Sequence, residues 1–166
     1  MNETPQQYMQ RIQGHLAGAD PLVVLEATAD RLARVVQGKS SDILHRRPSP
    51  ERWSVAEIVM HLAEAELVIA YRVRIILEKN GVPIPAFDQD VWARRYRDAQ
   101  IKPALEMHRG LRQANLALYR SFSPEQWEQY GMHSERGKES IRQIVNLAAG
   151  HDLNHMKQIE EILAPS

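Results

Sequence analysis

Three histidines have the residue type and spacing to do chemistry. His151 and His155 are four apart in His151-Asp152-Leu153-Asn154-His155, and His61 lies far earlier in the chain. Side chains four apart on an α-helix share a face about one turn apart, so both rings can reach one point. A third imidazole brought in from another helix would complete three nitrogen ligands around one ion. Three protein ligands with positions left over is the layout of a catalytic metal site rather than a structural one. Neutral imidazole suits zinc, nickel, copper or iron, and such an ion activates water or stabilises an anionic ligand such as a thiolate. Taken singly, each histidine is more simply a hydrogen-bonded core or surface residue. Taken together, three buried imidazoles without acid partners would be costly, and one cation satisfies all three.

The elements that must position these rings are helical. Alternating apolar runs are nearly absent, while 3.6-residue periodicity recurs four times. Asp20-Pro21 opens a first long helix, with Leu22, Leu25, Ala29, Leu32 and Val36 on one face and Gly38 as its stop. Ser54-Val55-Ala56-Glu57 is a capping box that starts a second helix, running to about Asn80. His61 falls on its inner stripe with Ile58, Leu62 and Ala65. A third helix is expected between Ile101 and Ser121, with Leu105, Leu111, Ala114 and Leu118 inward. Ser140-Ile141-Arg142-Gln143 caps a fourth, ending near Leu163, with Ile144, Leu147, Ala148, His151, His155 and Ile159 inward. Gln6 to Leu16 is a candidate short extra helix, Ser123-Pro124 starts a short turn holding Trp127, and Gly131 and Gly137 bracket a loop. Four long amphipathic helices predict an all-α, four-helix bundle in a single domain spanning 1–166. The second-to-third connection, marked by Pro83 and Pro85, is the longest, the kind of loop that is more often functional than idle.

Composition narrows the function classes. Lys plus Arg and Asp plus Glu each number 21, so the formal net charge is zero. Nucleic-acid binders rely on an excess of clustered basic residues, so no nucleic-acid partner is expected. The cluster Arg94, Arg95, Arg97 is interleaved with Asp88, Asp90 and Asp98 and reads as solvated surface. Cysteine is absent, which removes thiolate ligands and cysteine nucleophiles and fits a cytoplasmic protein. Met1 to Pro5 has no signal-peptide character, and stretches such as Leu67-Val68-Ile69-Ala70 are too short to cross a bilayer, so no membrane role is expected.

Around the three histidines, Glu64, Asp152 and Gln158 are candidates to orient a ligand ring through its other nitrogen. Gln158 shares the face of His151 and His155; Asp152 follows His151 directly and so points elsewhere on the helix. Glu57 is spoken for by its capping box. Trp53, just before the capping serine, reads as a hydrophobic staple rather than a substrate platform. Trp92 and Tyr96 are either core or the wall of a pocket. Tyr71 reads as packing. His15, His45 and His108 belong to no cluster, and His133 reads as surface, although it alone of the spares could approach the site.

The stretch Trp53-Ser54-Val55-Ala56-Glu57-Ile58-Val59-Met60-His61-Leu62-Ala63-Glu64-Ala65-Glu66 resembles the second-helix signature of the DinB/YfiT-like superfamily. His151-Asp152-Leu153-Asn154-His155-Met156-Lys157-Gln158-Ile159 resembles its fourth-helix signature, and Phe87-Asp88-Gln89-Asp90-Val91-Trp92-Ala93 is similar to a motif of the YfiT-like branch. The resemblance implies a four-helix bundle of unusual helix order and a divalent metal, typically zinc or nickel, on His61, His151 and His155. It also implies frequent homodimers. Characterised members include S-transferases and isomerases that use a low-molecular-weight thiol such as bacillithiol or mycothiol, and others are called metal-dependent hydrolases. A thiol-dependent S-transferase acting on an electrophilic small molecule is therefore the leading expectation. A metal-dependent hydrolase and a non-catalytic metal- or ligand-binding bundle are the alternatives.

Overall fold

The computed structural model describes residues 4–164; Met1 to Glu3, read above for a targeting segment, and the last two residues lie outside these. Eight helices are described: α1 (Pro5–Gly14), α2 (Pro21–Val36), α3 (Ser41–His45), α4 (Val55–Glu78), α5 (Gln89–Ala93), α6 (Ile101–Tyr119), α7 (Pro124–Glu128) and α8 (Ile141–Leu163). A 3-10 turn, Tyr96–Asp98, precedes α6. Starts are set by side-chain caps. Asp20 caps α2 through the Leu22 N–H at 2.8 Å, and Ser54, Ser123 and Ser140 form capping boxes with Glu57, Gln126 and Gln143.

The four long helices α2, α4, α6 and α8 form the bundle. α4 packs on α6 and α8, and α2 packs on the same two, so α2 and α4, consecutive among the long helices, occupy opposite corners. Chain order therefore differs from the order around the bundle. One core layer joins Leu25, Val73, Ile76, Leu116, Ile144 and Val145; another joins Leu32, Val55, Val59, Leu62, Met156 and Ile159. α1 lies across α8, where Gly150 makes the approach possible: a Cβ there would collide with the Ile12 carbonyl oxygen.

Two features depart from the sequence expectations. First, three short strands form a sheet in the order β1 (Val82–Ile84), β2 (Tyr130–His133), β3 (Gly137–Ser140). β1 pairs parallel with β2, placing Ile84 beside His133, and β2 pairs antiparallel with β3. Strands of three or four residues are too short to show a period-two pattern, so the expected loop between Gly131 and Gly137 is a hairpin instead. Gly131 is required there, because a side chain would meet Ile84. Second, the inner face of α6 is partly polar, with Ala104, Leu116 and Tyr119 as its apolar part. Ala114 is exposed, Leu105, Leu111 and Leu118 are half-buried, and His108, Arg112 and Asn115 are buried in their place. The apolar stripe of α6 is thus rotated from the face the sequence suggested, because carboxylates from α4 and α8 are buried opposite it.

Candidate metal centre

α4 and α8 deliver the three histidines. His61 lies in the second turn of α4, whose start is fixed twice over. The Glu57 carboxylate accepts from the Ser54 N–H at 2.8 Å and from Arg47 Nε at 2.8 and 3.1 Å. Burial would push the Glu57 carboxyl up, but the Arg47 and Ser54 hydrogen bonds outweigh it and hold the group below its ordinary value. His151 and His155 occupy successive turns of α8, directly after Gly150, where α1 crosses.

The structure brings the three rings together. His61 Nε2 is 3.0 Å from His151 Nε2, and His155 Nε2 is 3.1 Å from the same atom. All three candidate ligand atoms lie within 4.8 Å of one another. Nitrogens about 2.0–2.1 Å from one zinc ion stand roughly 3 Å apart, so the spacing suits a shared cation. Partner chemistry points the same way. His155 Nδ1 donates to Gln158 Oε1 at 2.9 Å, which leaves the lone pair on Nε2. That lone pair faces the other ring nitrogens. His61 is 1 % exposed, and its Nδ1 is buried with no partner. Clustered imidazole nitrogens of this kind repel unless a cation or proton lies among them, so the residues fit a divalent ion.

All three rings are neutral near pH 7. Burial lowers His61 well below its ordinary value, and His151 and His155 lower it further. Burial, then His151, lowers His155 to about 3. Burial also lowers His151, against the pull of Asp152. Neutral imidazole is the ligand form.

The surroundings divide into a wall and an opening. Trp53 packs on both buried histidines, with its ring centroid 5.0 Å from His61 and stacked 6.3 Å from His155. Tyr96 meets Trp53 edge-on at 5.7 Å. Trp53 therefore does more than staple a helix entry: it covers one side of the site. The opening lies at His151, which is shared by two cavities of about 360 and 380 Å³. The first runs between α4 and α8 over Ala65, Val68, Ile69, Leu147 and Ala148, and ends at Arg72 and His133. The second is bounded by Trp53, Asn154, His155 and Gln158. Tyr8 of α1 and Gln89 of α5 border both.

Three candidates orient none of the three histidines, as the place of Asp152 directly after His151 already implied for that residue. Glu64 accepts from the Tyr96 hydroxyl at 2.6 Å and orients no histidine. Asp152 is buried against Arg112 Nη1 at 2.7 Å and the Thr28 hydroxyl at 2.6 Å, on the side of α8 away from the ring cluster. Trp92 packs on Phe87 at 5.2 Å, and it is Phe87 that faces the first cavity. Gln158 contacts His155, as its shared helical face implied. Sequence reasoning missed Arg72, and it read His133 as surface while naming it the one spare histidine that could approach the site; the two are 7 and 3 % exposed. Arg72 was findable: it lies eleven residues beyond His61, three turns along the same face. Tyr71, read instead as packing, is 59 % exposed. The burial of His133 gave no signal, since it depends on the unforeseen hairpin. His108 is buried too, within the Arg112 cluster.

Comparison with known proteins agrees with this fold. The family model for the DinB superfamily matches residues 24–159. A protein of Oceanobacillus iheyensis named "Putative metal-dependent hydrolase OB0413" is 24% identical over 141 residues, covering 84% of this chain and 82% of its own. A second from that organism, "Putative metal-dependent hydrolase OB0782", is 25% identical over 111 residues, 66% of this chain and 64% of its own. Among solved structures, YfiT from Bacillus subtilis, described as "a probable metal-dependent hydrolase with an unusual four-helix bundle topology", superposes with a TM-score of 0.75. It is 19% identical, over 96% of this chain and 89% of that one, a likeness of fold. Among the described residues no helix is long and apolar enough to cross a membrane. With the model matching most of its length, this chain belongs to the DinB superfamily.

Proposed function

We propose that this protein is a metal-dependent enzyme acting on a small molecule, with His61, His151 and His155 holding a divalent ion, zinc or nickel. The observation that carries the reading is the convergence of three neutral imidazoles beside an apolar-walled cavity. The ion supplies Lewis acidity, which favours the deprotonated form of a thiol or of water. The chain's own residues do the rest. Gln158 fixes the His155 tautomer, Trp53 keeps water from one side, and the cavity between α4 and α8 receives the reacting molecule.

Thiol-dependent S-transfer is the leading reading. Of the two carboxylates that the sequence places beside the histidines, neither is free to act as a general base, because Glu64 is engaged by Tyr96 and Asp152 by Arg112. Thiol transfer has the lesser need of one, since a thiol ionises far more readily than water. The absent cysteine means the thiol comes from outside the chain. Hydrolysis is the second reading, favoured by the names its relatives carry. The test is to load zinc or nickel and follow 1-chloro-2,4-dinitrobenzene with bacillithiol, mycothiol, glutathione and cysteine, beside p-nitrophenyl acetate without thiol. Thiol-dependent conjugation that vanishes in His151→Ala is expected. Ester cleavage alone would give hydrolysis the lead, and neither activity in metal-replete protein would leave a non-catalytic binding bundle.

A further inference from the structure

The end of the first cavity remote from the histidines carries two polar groups that the fold leaves without adequate partners. Arg72 follows His61 by eleven residues on α4, about 16 Å along the axis and nearly in line with it. Its Nη2 donates to the Pro85 carbonyl at 2.8 Å, and its guanidinium lies 5.9 Å from the Phe87 ring centroid. Among the described residues no carboxylate forms an ion pair with it. The contrast with the other buried arginine is direct, since Arg112 contacts two carboxylates. Glu139, the buried acid nearby, is already gripped by Arg136 at 2.8 and 2.9 Å, and Glu135 is exposed. Burial, then Arg136, lowers Arg72 to about 10, so it stays charged at neutral pH.

His133 completes the pair. Its Nδ1 accepts from the backbone N–H groups of Glu135 at 3.2 Å and Arg136 at 3.4 Å. An accepting Nδ1 places the proton on Nε2. That Nε2 is buried with no partner, on a residue that lines the cavity. A buried donor left unsatisfied is costly, so its retention calls for an acceptor. Burial, then Arg136 and Arg72, lowers the ring to about 4, which keeps it a neutral donor.

We infer that this cavity binds an amphipathic monocarboxylate, its carboxylate received by Arg72 and the His133 Nε2–H and its apolar body lying along Ala65, Val68 and Leu147. The opposite end of the ligand then faces the histidine cluster, a clause that rests on the proposed function; the carboxylate end does not. Guanidinium and carboxylate match as planar, charge-assisted partners. A dianionic phosphate is disfavoured, because Glu135 and Glu139 border the same end and only Arg72 lacks an acid partner.

The probe is hexanoate, with hexanamide as its neutral counterpart, titrated into metal-free and zinc-loaded protein by calorimetry and NMR. Saturable hexanoate binding to metal-free protein is expected, with hexanamide at least tenfold weaker. Arg72→Gln keeps an amide donor for the Pro85 carbonyl and should weaken hexanoate at least tenfold while leaving hexanamide unchanged. His133→Phe should weaken hexanoate several-fold, and Arg72→Lys should recover part of the loss. Should Arg72→Gln fail to fold, the hexanoate-to-hexanamide ratio and the movement of the His133 Nε2–H resonance in the unaltered chain decide alone. Equal binding of the two probes, or hexanoate binding only when zinc is present, overturns the inference. Protein that discriminates the probes but takes up no metal sinks the proposed function and leaves this carboxylate site standing. Protein that takes up metal without discriminating does the reverse.

Discussion

Two buried polar clusters flank α8 one residue apart, and they are built on opposite plans. On one side Asp152 joins Arg112, which also grips Glu66 at 2.9 Å; Asn115 donates to Glu66 at 2.7 Å and Thr28 to Asp152. Opposite charges meet there, one guanidinium between two carboxylates, and nearly every polar atom has a partner. Burial would push the Asp152 carboxyl up, but Arg112, His108 and Thr28 overcome it and hold the group low. On the other side His151 joins His61 and His155, with nitrogens turned toward one another and no opposite charge among them. The first cluster is complete as folded. The second is complete only when something is added. Burial of polar groups is common to both, so it is the missing partner that singles out the histidines as the candidate site.

Breaking the complete cluster should give the largest effect on stability. Arg112→Met strands Glu66 and Asp152 as buried carboxylates, and losing one member of such a set costs about 3–5 kcal/mol. Urea unfolding of metal-free protein would measure it. Arg112 touches none of the three clustered histidines, so variant protein that remains folded should still take up metal. His151→Ala should do the opposite. It removes the nitrogen nearest both other rings, and metal affinity should fall more than about a hundredfold, beyond the usual effect of losing an outer-sphere partner. Elemental analysis and calorimetry would show this while metal-free stability changes little. A folded Arg112→Met protein empty of metal would collapse the distinction between the clusters.

Acid should separate them as well. His155 titrates near 3 in the fold, against about 6.5 in an unfolded chain. Between those values the unfolded chain binds a proton that the native ring refuses. Its contribution is therefore intact above about pH 6.5 and is lost progressively as pH falls toward 3. At about 1.4 kcal/mol per unit, lowering pH from 6.5 to 5 should remove about 2 kcal/mol from metal-free protein through this ring alone. The Asp152 carboxyl, held below its ordinary value, gives up its own contribution only at lower pH. His155→Leu should flatten the stability profile over that interval, and Asp152→Asn should not.

The sequence made half of this comparison legible. His61, His151 and His155 could be placed because each lies on an apolar helical stripe started by a readable cap, and helical spacing carries a side chain's direction reliably over two or three turns. Gln158 followed from the same rule. The charged cluster was hidden, because Arg112, Glu66 and Asp152 all look like solvated residues until their partners are known. Reading Leu105 and Leu118 as the centre of the inner face of α6, when they pack at its flanks, rotated its register for that reason. The carboxylate end of the cavity was hidden differently. His133 is buried by a hairpin paired with Val82–Ile84, a contact between distant segments that no local pattern announces. Trp53 was legible as an anchor but not as a wall, since its contact with His155 depends on the α4–α8 packing.

The smallest expected effect tests whether the incomplete cluster has any structural support of its own. Gln158 touches no candidate ligand atom; it accepts from His155 Nδ1 and so sets which nitrogen carries the lone pair. Gln158→Leu preserves size and helix propensity but leaves that Nδ1–H without an acceptor. The ring is then free to turn or to change tautomer, and metal affinity should weaken about tenfold, toward the low end for such partners. Gln158→Glu supplies a carboxylate acceptor at the same position and should restore or exceed the original affinity. Competition titration of zinc against a chelator resolves a tenfold change, and melting of the metal-free proteins separates it from general destabilisation. If the Leu and Glu variants bind metal equally, His155 is oriented by Trp53 packing alone, and the hydrogen bond is incidental.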